Sequence, residues 1–350
     1  MYDIVLAFIT AFSLTYLAIP SIISVAKKKR LFDEPGERTS HTVSTPSLGG
    51  IGIFAGTIFS IIMWTPFKYF ADLQYILCSF IIIFLIGAKD DIDPLSPGKK
   101  FLGQIFAAAI IVFKAKIYIS SFYGIFGITT LPYWFSVIFS IVIIVLIINA
   151  FNLLDGINGL SGSIGVLIAT TFGFWFYKND YIEFAMVAFA LAGSVVAFLK
   201  YNFSPAEIFM GDTGSLLLGL VASILAIEFM ELNNAPDKPV WHFESAPAAA
   251  VGVLILPLFD TLSVFTRRII NGRSPFHPDK THIHHQLLDL GLSHMQSTYI
   301  LVALNLAIIL PLVYLDRFGS YKLLIILTIV SLALATMLYY MSKRAKLKKQ

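Results

Sequence analysis

Five short polar segments interrupt a chain that is otherwise mostly apolar, and their side chains are of the types that bind metal ions and phosphates. The segments are Arg38 with His41, the carboxylates of 89–93, NAFNLLDGINGL at 149–160, MGDTGS at 210–215, and HIHH at 282–285. Carboxylate oxygens suit a hard cation such as Mg2+, and basic or imidazole groups suit phosphate. The segments together predict chemistry on a phosphorylated substrate, at one site assembled from several loops.

Asp90 and Asp91 directly follow a long apolar run, where adjacent carboxylates can hold a hard cation next to phosphates. A bare pair of this kind is more often a solvated helix end. Asp93 adds a third carboxylate but precedes Pro94, which favours extended backbone at the residue before it. Lys100 follows closely, where it could meet a phosphate or simply extend its ammonium to the membrane surface.

Asn149, Asn152 and Asp155 recur every three residues at the end of another apolar run, so a helix would place them on one stripe. Polar groups in an apolar segment are costly unless they are used. Gly156 and Gly159 then end the helix and let the backbone approach a ligand closely. An ordinary C-terminal cap with Asn and Gly would explain Gly156 but not the repeated Asn.

Two further carboxylates lie at the ends of apolar runs. Asp212 is flanked by glycines at the start of one, which suits a metal or phosphate site because helix N-termini attract anions. Alternatively, Asp212 or Thr213 caps that helix. Asp260 lies late in another run, where a carboxylate is a candidate functional residue. The alternative interpretations of Asp260 are a structural ion pair with Arg267 or simple exposure to the polar site.

The HIHH segment lies in a loop, 267–297, that holds five of the seven histidines of the chain. Zinc is the lesser alternative there, because no cysteine accompanies the histidines and the carboxylates elsewhere favour magnesium. Contact with phosphate or with sugar hydroxyls is the preferred interpretation. A solvated, histidine-rich loop is the structural alternative.

The elements that position these residues are apolar enough to span a membrane. The chain of 350 residues is 57% hydrophobic and 13% charged, whereas soluble domains are about 25% charged. A span needs about 20 apolar residues. The candidate spans are 3–26, 47–65, 70–88, 101–118, 132–149, 161–177, 181–199, 214–231, 246–266, 298–316 and 320–342. We therefore predict an all-α integral membrane protein with 11 transmembrane helices, forming a single domain over 1–350.

The distribution of positive charge predicts how these spans are oriented. The loops after odd-numbered spans, together with the C-terminal tail, hold 18 of the 25 Lys and Arg residues. Positive residues favour the cytoplasmic side, so the N-terminus is predicted outside and the C-terminus in the cytoplasm. All five polar segments then lie on the cytoplasmic face. The net charge of +4 is explained by anionic lipid and calls for no nucleic-acid partner.

The motifs, in their order along the chain, resemble those of the polyprenyl-phosphate N-acetylhexosamine-1-phosphate transferases, glycosyltransferase family 4. The resemblance rests on Arg38 and His41, the Asp90-Asp91 pair, NxxNxxDGxNGL at 149–160, YNxxPAxIFMGDTGS at 201–215 and HIHH at 282–285. It covers nearly the whole chain. HIHH is similar to the branch that starts O-antigen, enterobacterial common antigen or teichoic acid linkage units. Two positions depart from the family pattern: the third Asp is Asp93, followed by Pro94, and Gln286 stands where Arg often follows HIHH.

The resemblance implies a reaction at the cytoplasmic side of the plasma membrane. A UDP-N-acetylhexosamine, with N-acetylglucosamine (GlcNAc) as the expected sugar, gives its sugar-1-phosphate to undecaprenyl phosphate and releases UMP. The implied cofactor is Mg2+, with Mn2+ as a substitute. The implied surroundings are the lipid bilayer, and lipid-facing helices would permit a homodimer. The reaction would be the first membrane step of a surface glycan pathway.

The resemblance also implies roles for individual residues. The implied catalytic carboxylates are Asp90 and Asp91, and the implied metal ligands are Asp212 and Asn152. The implied substrate-binding residues are Lys100, Asn149, Asp155, Asn158, Phe209, His282, His284 and His285, with Arg38, His41, Asn202 and Asp260 as secondary candidates.

Direct attack of the acceptor phosphate on the donor diphosphate is the favoured mechanism, because a phosphomonoester loses its second proton near about pH 6. A covalent aspartyl intermediate is the alternative.

Three other functions compete with this one. The phospho-N-acetylmuramoyl-pentapeptide transferase of peptidoglycan synthesis belongs to the same class of enzyme. A transporter of phosphorylated metabolites would need carboxylates and helix breaks deep within paired spans, and only Asp260 and Pro257 fit that description. A non-catalytic scaffold would be expected to lose one of Asp90, Asp91 or Asp212, and all three are present.

Overall fold

A computed structural model describes residues 2–32, 44–270, 272 and 282–349 of the protein. Regular secondary structure within these residues is helical, which confirms the prediction of an all-α fold. The helices are α1 Tyr2–Lys29, α2 Gly49–Trp64, α3 Phe70–Ile92, α4 Pro97–Phe113, α5 Tyr133–Leu154, α6 Leu160–Lys178, α7 Ile182–Asn202, α8 Gly211–Asn233, α9 Ala246–Val253, α10 Ile255–Ile270, α11 Ile283–Asp289, α12 His294–Ile309, α13 Leu312–Leu315 and α14 Ser320–Lys349. Short 3-10 helices occupy Phe67–Tyr69, Ile125–Gly127 and Asp316–Phe318.

Among the described residues, seven helical segments are long and apolar enough to cross a membrane. They are α1, α5, α6, α7, α8, α14 and the segment His294–Phe318, which begins with α12. The bent pair α9 and α10 would make an eighth if it forms one span, and α2 is a shorter apolar helix. Helices occur at each of the eleven apolar segments predicted from the sequence. The number of helices that cross the bilayer stays a prediction.

The ninth predicted span, 246–266, is not one continuous helix. α9 ends at Val253, and α10 begins after one intervening residue at an angle of 78°. Pro257 explains the break, because it has no N–H and its ring clashes with the carbonyl four residues earlier, that of Val253. Asn305 of α12 bonds the groups left at the break: it donates to the Val253 carbonyl at 3.4 Å and accepts from the Leu256 N–H at 3.3 Å. The segment predicted as the ninth span is therefore a pair of helices with a sharp bend, and its crossing of the membrane as one span stays a prediction.

α8 lies at the centre of the bundle and is buried over most of its length. The helices α2, α3, α5, α6, α7 and α9 pack around it. Two glycines allow close approaches of α3 and α5: a Cβ on Gly219 would lie 2.5 Å from the Cα of Ile148 in α5, and a Cβ on Gly87 in α3 would lie 2.5 Å from the Cα of Thr213. The backbones of α3 and α5 are therefore held directly against α8.

The four polar segments that lie within the described residues collect at one end of the bundle, which we call the site end. It is formed by the last turns of α3, α5 and α7 and by the first turns of α4, α6 and α8. The short helix α11, which carries the HIHH segment, lies beside it and packs against α12 and α14. Residues that are far apart in the sequence thus meet at helix ends, where their polar side chains avoid the apolar middle of the bundle.

Candidate active site

Asp91, in the last turn of α3, caps the first turn of α8. Its Oδ1 accepts the N–H of Asp212 at 2.7 Å, and its Oδ2 accepts the N–H and the hydroxyl of Thr213 at 3.0 and 2.6 Å. The first N–H groups of a helix have no partner within the helix, and the positive end of the helix dipole favours a carboxylate. The cap of α8 thus comes from another helix. The alternative in which Asp212 or Thr213 caps it is wrong.

Gly211 is required where Asp91 meets α8. Its φ of +70° lies in the left-handed region that favours glycine. A Cβ at this position would also lie 2.7 Å from both carboxylate oxygens of Asp91. The glycine therefore leaves the space that Asp91 occupies, and Asp91 in turn holds the backbone of Asp212 in place.

Asp90 and Asp212 share the ammonium group of Lys100. Lys100 Nζ contacts Asp212 Oδ2 and lies 3.2 Å from Asp90 Oδ2, and these side chains are between 15% and 22% exposed. The N–H of Leu95 donates to Asp90 Oδ1 at 2.6 Å, which fixes the carboxylate further. Lys100, which follows the Asp pair in the sequence, thus also lies beside Asp90 and Asp212 in space. Its ammonium is bonded to carboxylates here, at the place where a phosphate was expected to meet it.

The predicted polar stripe on α5 is divided between two neighbouring helices. Asn152 donates to Asp212 Oδ1 at 2.6 Å and to the hydroxyl of Ser215 at 3.0 Å. Asn149 instead donates to Gln104 Oε1 of α4 at 2.7 Å. Side chains separated by three residues lie about 60° apart around a helix, which is enough to direct them to different partners. Asn149 therefore faces α4, whereas Asn152 faces the carboxylates.

A cavity of about 580 Å³ opens between the helix ends at this point. Nine of the predicted residues line it: Asp90, Asp91, Asn152, Asp155, Asn158, Asn202, Phe209, Asp212 and His285. Phe32 and Ser47 also line it, and the sequence had not indicated either, because neither belongs to a polar cluster or a periodic pattern. Residues 33–43, which include Arg38 and His41, lie outside the described residues, so their predicted roles have no structural counterpart.

Asp155 follows α5 and forms part of the cavity wall. Burial, together with the negative charges of Asp212 and Asp91, raises the pKa of the Asp155 carboxyl to about 8. The carboxyl therefore keeps its proton at neutral pH and can donate a hydrogen bond. A cation bound among these carboxylates would lower that pKa, because it would favour the charged form.

Asn202 ties together two loops of the site end. Its Oδ1 accepts the N–H of Gly159 at 2.7 Å, and its Nδ2 donates to the carbonyl of Ile208 at 2.9 Å. These bonds join the turn after α5 to the loop before α8. Asn202, a secondary candidate from the sequence, thus lines the cavity and stabilises the two loops beside it.

Asp260 holds the start of α11. It is buried in α10, with 2% of its surface exposed. Its Oδ2 accepts from His282 Nδ1, and its Oδ1 accepts from the N–H of Ile283, both at 2.9 Å. This carboxylate fixes the tautomer and orientation of His282 and bonds the first N–H of α11. The outcome differs from both alternatives considered for Asp260, since a histidine is its partner and it does not line the cavity.

His284 and His285 lie at different depths. His284 is buried against Gly156, where a Cβ would lie 2.7 Å from the imidazole Cε1. Burial lowers the pKa of His284 to about 3, so its imidazole is neutral at physiological pH. The His285 ring lies 4.3 Å from that of His284 and lines the cavity. Within the HIHH segment, His285 therefore faces the cavity while His282 and His284 support it from behind.

If a hard cation bound at this cavity, Asp90, Asp212 and Asn152 would supply its oxygen ligands. The described part of the chain contains no group of three or more His, Cys, Asp or Glu residues placed to hold a metal ion. Mg2+ commonly takes only one or two protein carboxylates and completes its octahedron with water and substrate phosphates. The donor set at the cavity therefore fits Mg2+ that binds together with a phosphorylated substrate.

Comparison with known proteins decides the family. The model of glycosyl transferase family 4 matches residues 73–230. The probable undecaprenyl-phosphate N-acetylglucosaminyl 1-phosphate transferase of Bacillus subtilis (strain 168) is 32% identical over 340 residues, which cover 95% of this chain and 92% of the relative. The chain belongs to glycosyl transferase family 4. The predicted resemblance is confirmed.

Other relatives in glycosyl transferase family 4 are almost as similar. The decaprenyl-phosphate N-acetylglucosaminephosphotransferase of Mycobacterium leprae (strain TN) is 31% identical over 312 residues, 83% of this chain and 78% of the relative. The undecaprenyl-phosphate alpha-N-acetylglucosaminyl 1-phosphate transferase of Escherichia coli (strain K12) is 29% identical over 318 residues, 89% of this chain and 84% of the relative. The family match itself runs from α3 to α8, the helices whose ends surround the carboxylates.

Proposed function

We propose that this protein transfers GlcNAc-1-phosphate from UDP-GlcNAc to undecaprenyl phosphate and releases UMP. The observation that carries the proposal is the cavity at the site end, where Asp90, Asp212, Asn152 and Lys100 meet. The relatives support it, since their names give N-acetylglucosamine as the sugar and undecaprenyl or decaprenyl phosphate as the acceptor.

The proposed location is the plasma membrane, with the site end facing the cytoplasm and the whole chain acting as one domain. The bias of Lys and Arg supports this orientation, because 18 of 25 fall in the loops and tail assigned to that side. Eleven crossing segments, with the N-terminus outside, are the arrangement that this bias favours. The reaction would then use cytoplasmic UDP-GlcNAc and begin a surface glycan pathway.

The reaction brings the anionic phosphate of the acceptor to the anionic diphosphate of the donor, so the site must above all neutralise negative charge. Asp90, Asp91 and Asp212 line the cavity, and among the described side chains Lys100 alone does not neutralise their carboxylates. In this proposal, Asp212 and Asn152 hold Mg2+, or Mn2+ in its place, beside Asp90. When bound, the metal neutralises the charge that develops on the transferring phosphate groups.

The chemical step needs no proton to be removed. The phosphate of the acceptor is largely a dianion above about pH 6, so one of its oxygens attacks the phosphorus that carries the sugar. The new phosphorus–oxygen bond forms as the bond to the UMP oxygen breaks, and UMP leaves with the electron pair. Asp91 contributes by fixing the first turn of α8, and with it Asp212. Asp90 contributes by orienting Lys100 towards the donor diphosphate.

Four other residues that line the cavity suit the nucleotide and the sugar. Asp155 and the amide of Asn158 offer hydrogen-bonding groups that complement uracil. The ring of Phe209 offers a surface on which a base can stack. His285 offers a hydrogen-bonding imidazole to the diphosphate or the sugar. In this proposal these four residues bind the donor, and Lys100 holds its diphosphate.

A second, apolar cavity suits the isoprenoid chain of the acceptor. It measures about 960 Å³ and lies between α5, α8, α9, α10 and α14. Arg267, Arg268, Tyr339 and Tyr340 line it together with apolar side chains. α10 connects the two regions, because it carries Asp260 beside the histidines while its other side chains line this cavity. We propose that the lipid chain lies here, with its phosphate towards the site end.

The proposal is tested by assaying the purified, detergent-solubilised protein for UMP release from UDP-GlcNAc. Undecaprenyl phosphate is included or omitted, and the metal is supplied as Mg2+ or removed with a chelator. Release that requires both lipid and Mg2+ is the expected result. Release only with UDP-N-acetylmuramoyl-pentapeptide would move the protein to the peptidoglycan branch. An absence of release with every UDP-sugar would overturn the proposed function.

A further inference from the structure

The helix that carries the histidines depends on its neighbours for its position. α11 spans only seven residues, Ile283–Asp289, and helices of that length are not stable on their own in water. Asp260 bonds its first turn through His282 and the N–H of Ile283. The contacts that hold the last turn of α11 therefore also affect the orientation of the His285 side chain.

The last turn of α11 is bonded to the C-terminal turns of α14. Asp289 Oδ2 accepts the hydroxyl of Ser342 at 2.9 Å and pairs with Lys346 Nζ at 2.8 Å. Ser342 is buried, with 5% of its surface exposed. Ser342 and Lys346 are four residues apart, so they lie on one face of α14.

Apolar packing extends the same face of α14. Leu338, four residues before Ser342, is 8% exposed. Leu338 and Ile283 of α11 line the same small cavity, whose other walls come from α10, α12 and α14. The stripe formed by Leu338, Ser342 and Lys346 thus runs along α14 against α11, and we call it the α14 stripe.

We propose that the α14 stripe positions the histidine helix for binding of the donor. Asp289 and His285 are four residues apart on α11, so a shift of Asp289 moves the imidazole that lines the cavity. Ser342 and Lys346 act as positioning residues, through Asp289, without touching substrate. This inference rests on the proposed function, since the donor is UDP-GlcNAc.

The test compares two double variants of the full-length enzyme. Ser342→Ala with Lys346→Ala removes both bonds to Asp289. Lys343→Ala with Arg344→Ala is the matched control, because both side chains are exposed neighbours in the same turns. The first variant is expected to raise the KM for UDP-GlcNAc about tenfold, with little change in the KM for undecaprenyl phosphate. The control should behave like wild type, and Ser342→Thr with Lys346→Arg should restore most of the donor affinity.

Hydrogen exchange measures the same contact without reference to activity. The backbone amides of 283–289 should exchange faster in the Ser342→Ala, Lys346→Ala variant than in wild type or in the control. Equal exchange in all three proteins, or equal KM values for UDP-GlcNAc, would overturn the positioning role. If wild type transfers no sugar phosphate but exchange responds as expected, the proposed function fails while the contact between α11 and α14 stands.

Discussion

Carboxylates lie at both ends of the helical bundle, but the two ends neutralise them differently. At the end opposite the site, Glu231 accepts the N–H and the hydroxyl of Ser120, both at 2.7 Å, and also the hydroxyl of Tyr123. Asp316 accepts the N–H and the hydroxyl of Ser245 at 2.8 and 2.6 Å, and a further backbone N–H at 3.0 Å. Neutral donors satisfy each of these carboxylates, as in most structural networks.

The site end gathers more negative charge than its own groups compensate. Asp90 and Asp212 share Lys100, and Asp155 lies close enough to Asp212 and Asp91 that their charges raise its pKa. Crowded carboxylates of this kind cost free energy unless a cation is bound. At the opposite end, carboxylates saturated by neutral hydrogen bonds hold the fold together, whereas at the site end carboxylates are left short of positive charge, and it is there that we propose a metal and a phosphorylated substrate bind.

Asp212→Asn tests this distinction with the largest expected effect. Loss of the carboxylate should remove metal binding and lower kcat by roughly a thousandfold or more, measured as UMP release at saturating substrates. Glu231→Gln, at the other end of the same helix, is the control and should keep a kcat near that of wild type. Equal losses in the two variants would break the comparison.

Asp91→Asn should have the next largest effect. The amide oxygen can accept from α8 on one side only, because the NH2 group faces the donors on the other side, and the negative charge at the helix N-terminus is lost. Asp212 therefore loses part of its support, and kcat should fall about a hundredfold. Asp316→Asn provides the control, because Asp316 bonds the residue before α9 in the same manner. It should lower the unfolding temperature in detergent while leaving kcat unchanged, and a wild-type rate in Asp91→Asn would contradict the role given to Asp91.

Asn152→Ala sharpens the comparison within one helix. Removal of the amide should raise the Mg2+ concentration needed for half-maximal activity about tenfold, because a ligand and its bond to Asp212 are both lost. Asn149→Ala, one turn earlier and bonded to Gln104, should leave that concentration unchanged. An equal shift in both variants would show that the stripe acts as one unit on the metal.

Tyr123→Phe should have the smallest effect, confined to stability. The variant loses a hydrogen bond to a carboxylate, worth about 1.5 kcal/mol, so its unfolding temperature in detergent should fall by a few degrees with kcat unchanged. Tyr321→Phe is the control, since Tyr321 is exposed near the same end. A fall in kcat for Tyr123→Phe would mean that the opposite end of the bundle also contributes to turnover.

Much of this protein could be predicted from its amino acids because the relevant signals are local. Apolar runs of span length located the helices, since such runs have few stable alternatives to a helix in an apolar setting. Polar residues at the ends of those runs indicated the site, and eight of them line the cavity together with Phe209. The types of side chain, carboxylates with no cysteine beside the histidines, predicted a hard cation.

The partners of those residues depended on the tertiary structure. Asn149 and Asn152 share a sequence pattern but face different helices. The sequence left several partners open for Asp260, and the structure shows that its partner is His282. Asp91 became the cap of a helix that begins about 120 residues later, a relation that no local periodicity can encode. Composition and periodicity decide which segments become helices and which side chains are polar enough to need partners. The packing of the helices decides which partner each receives, because hydrogen bonds and charges act over a few ångströms in space, whatever the separation along the chain.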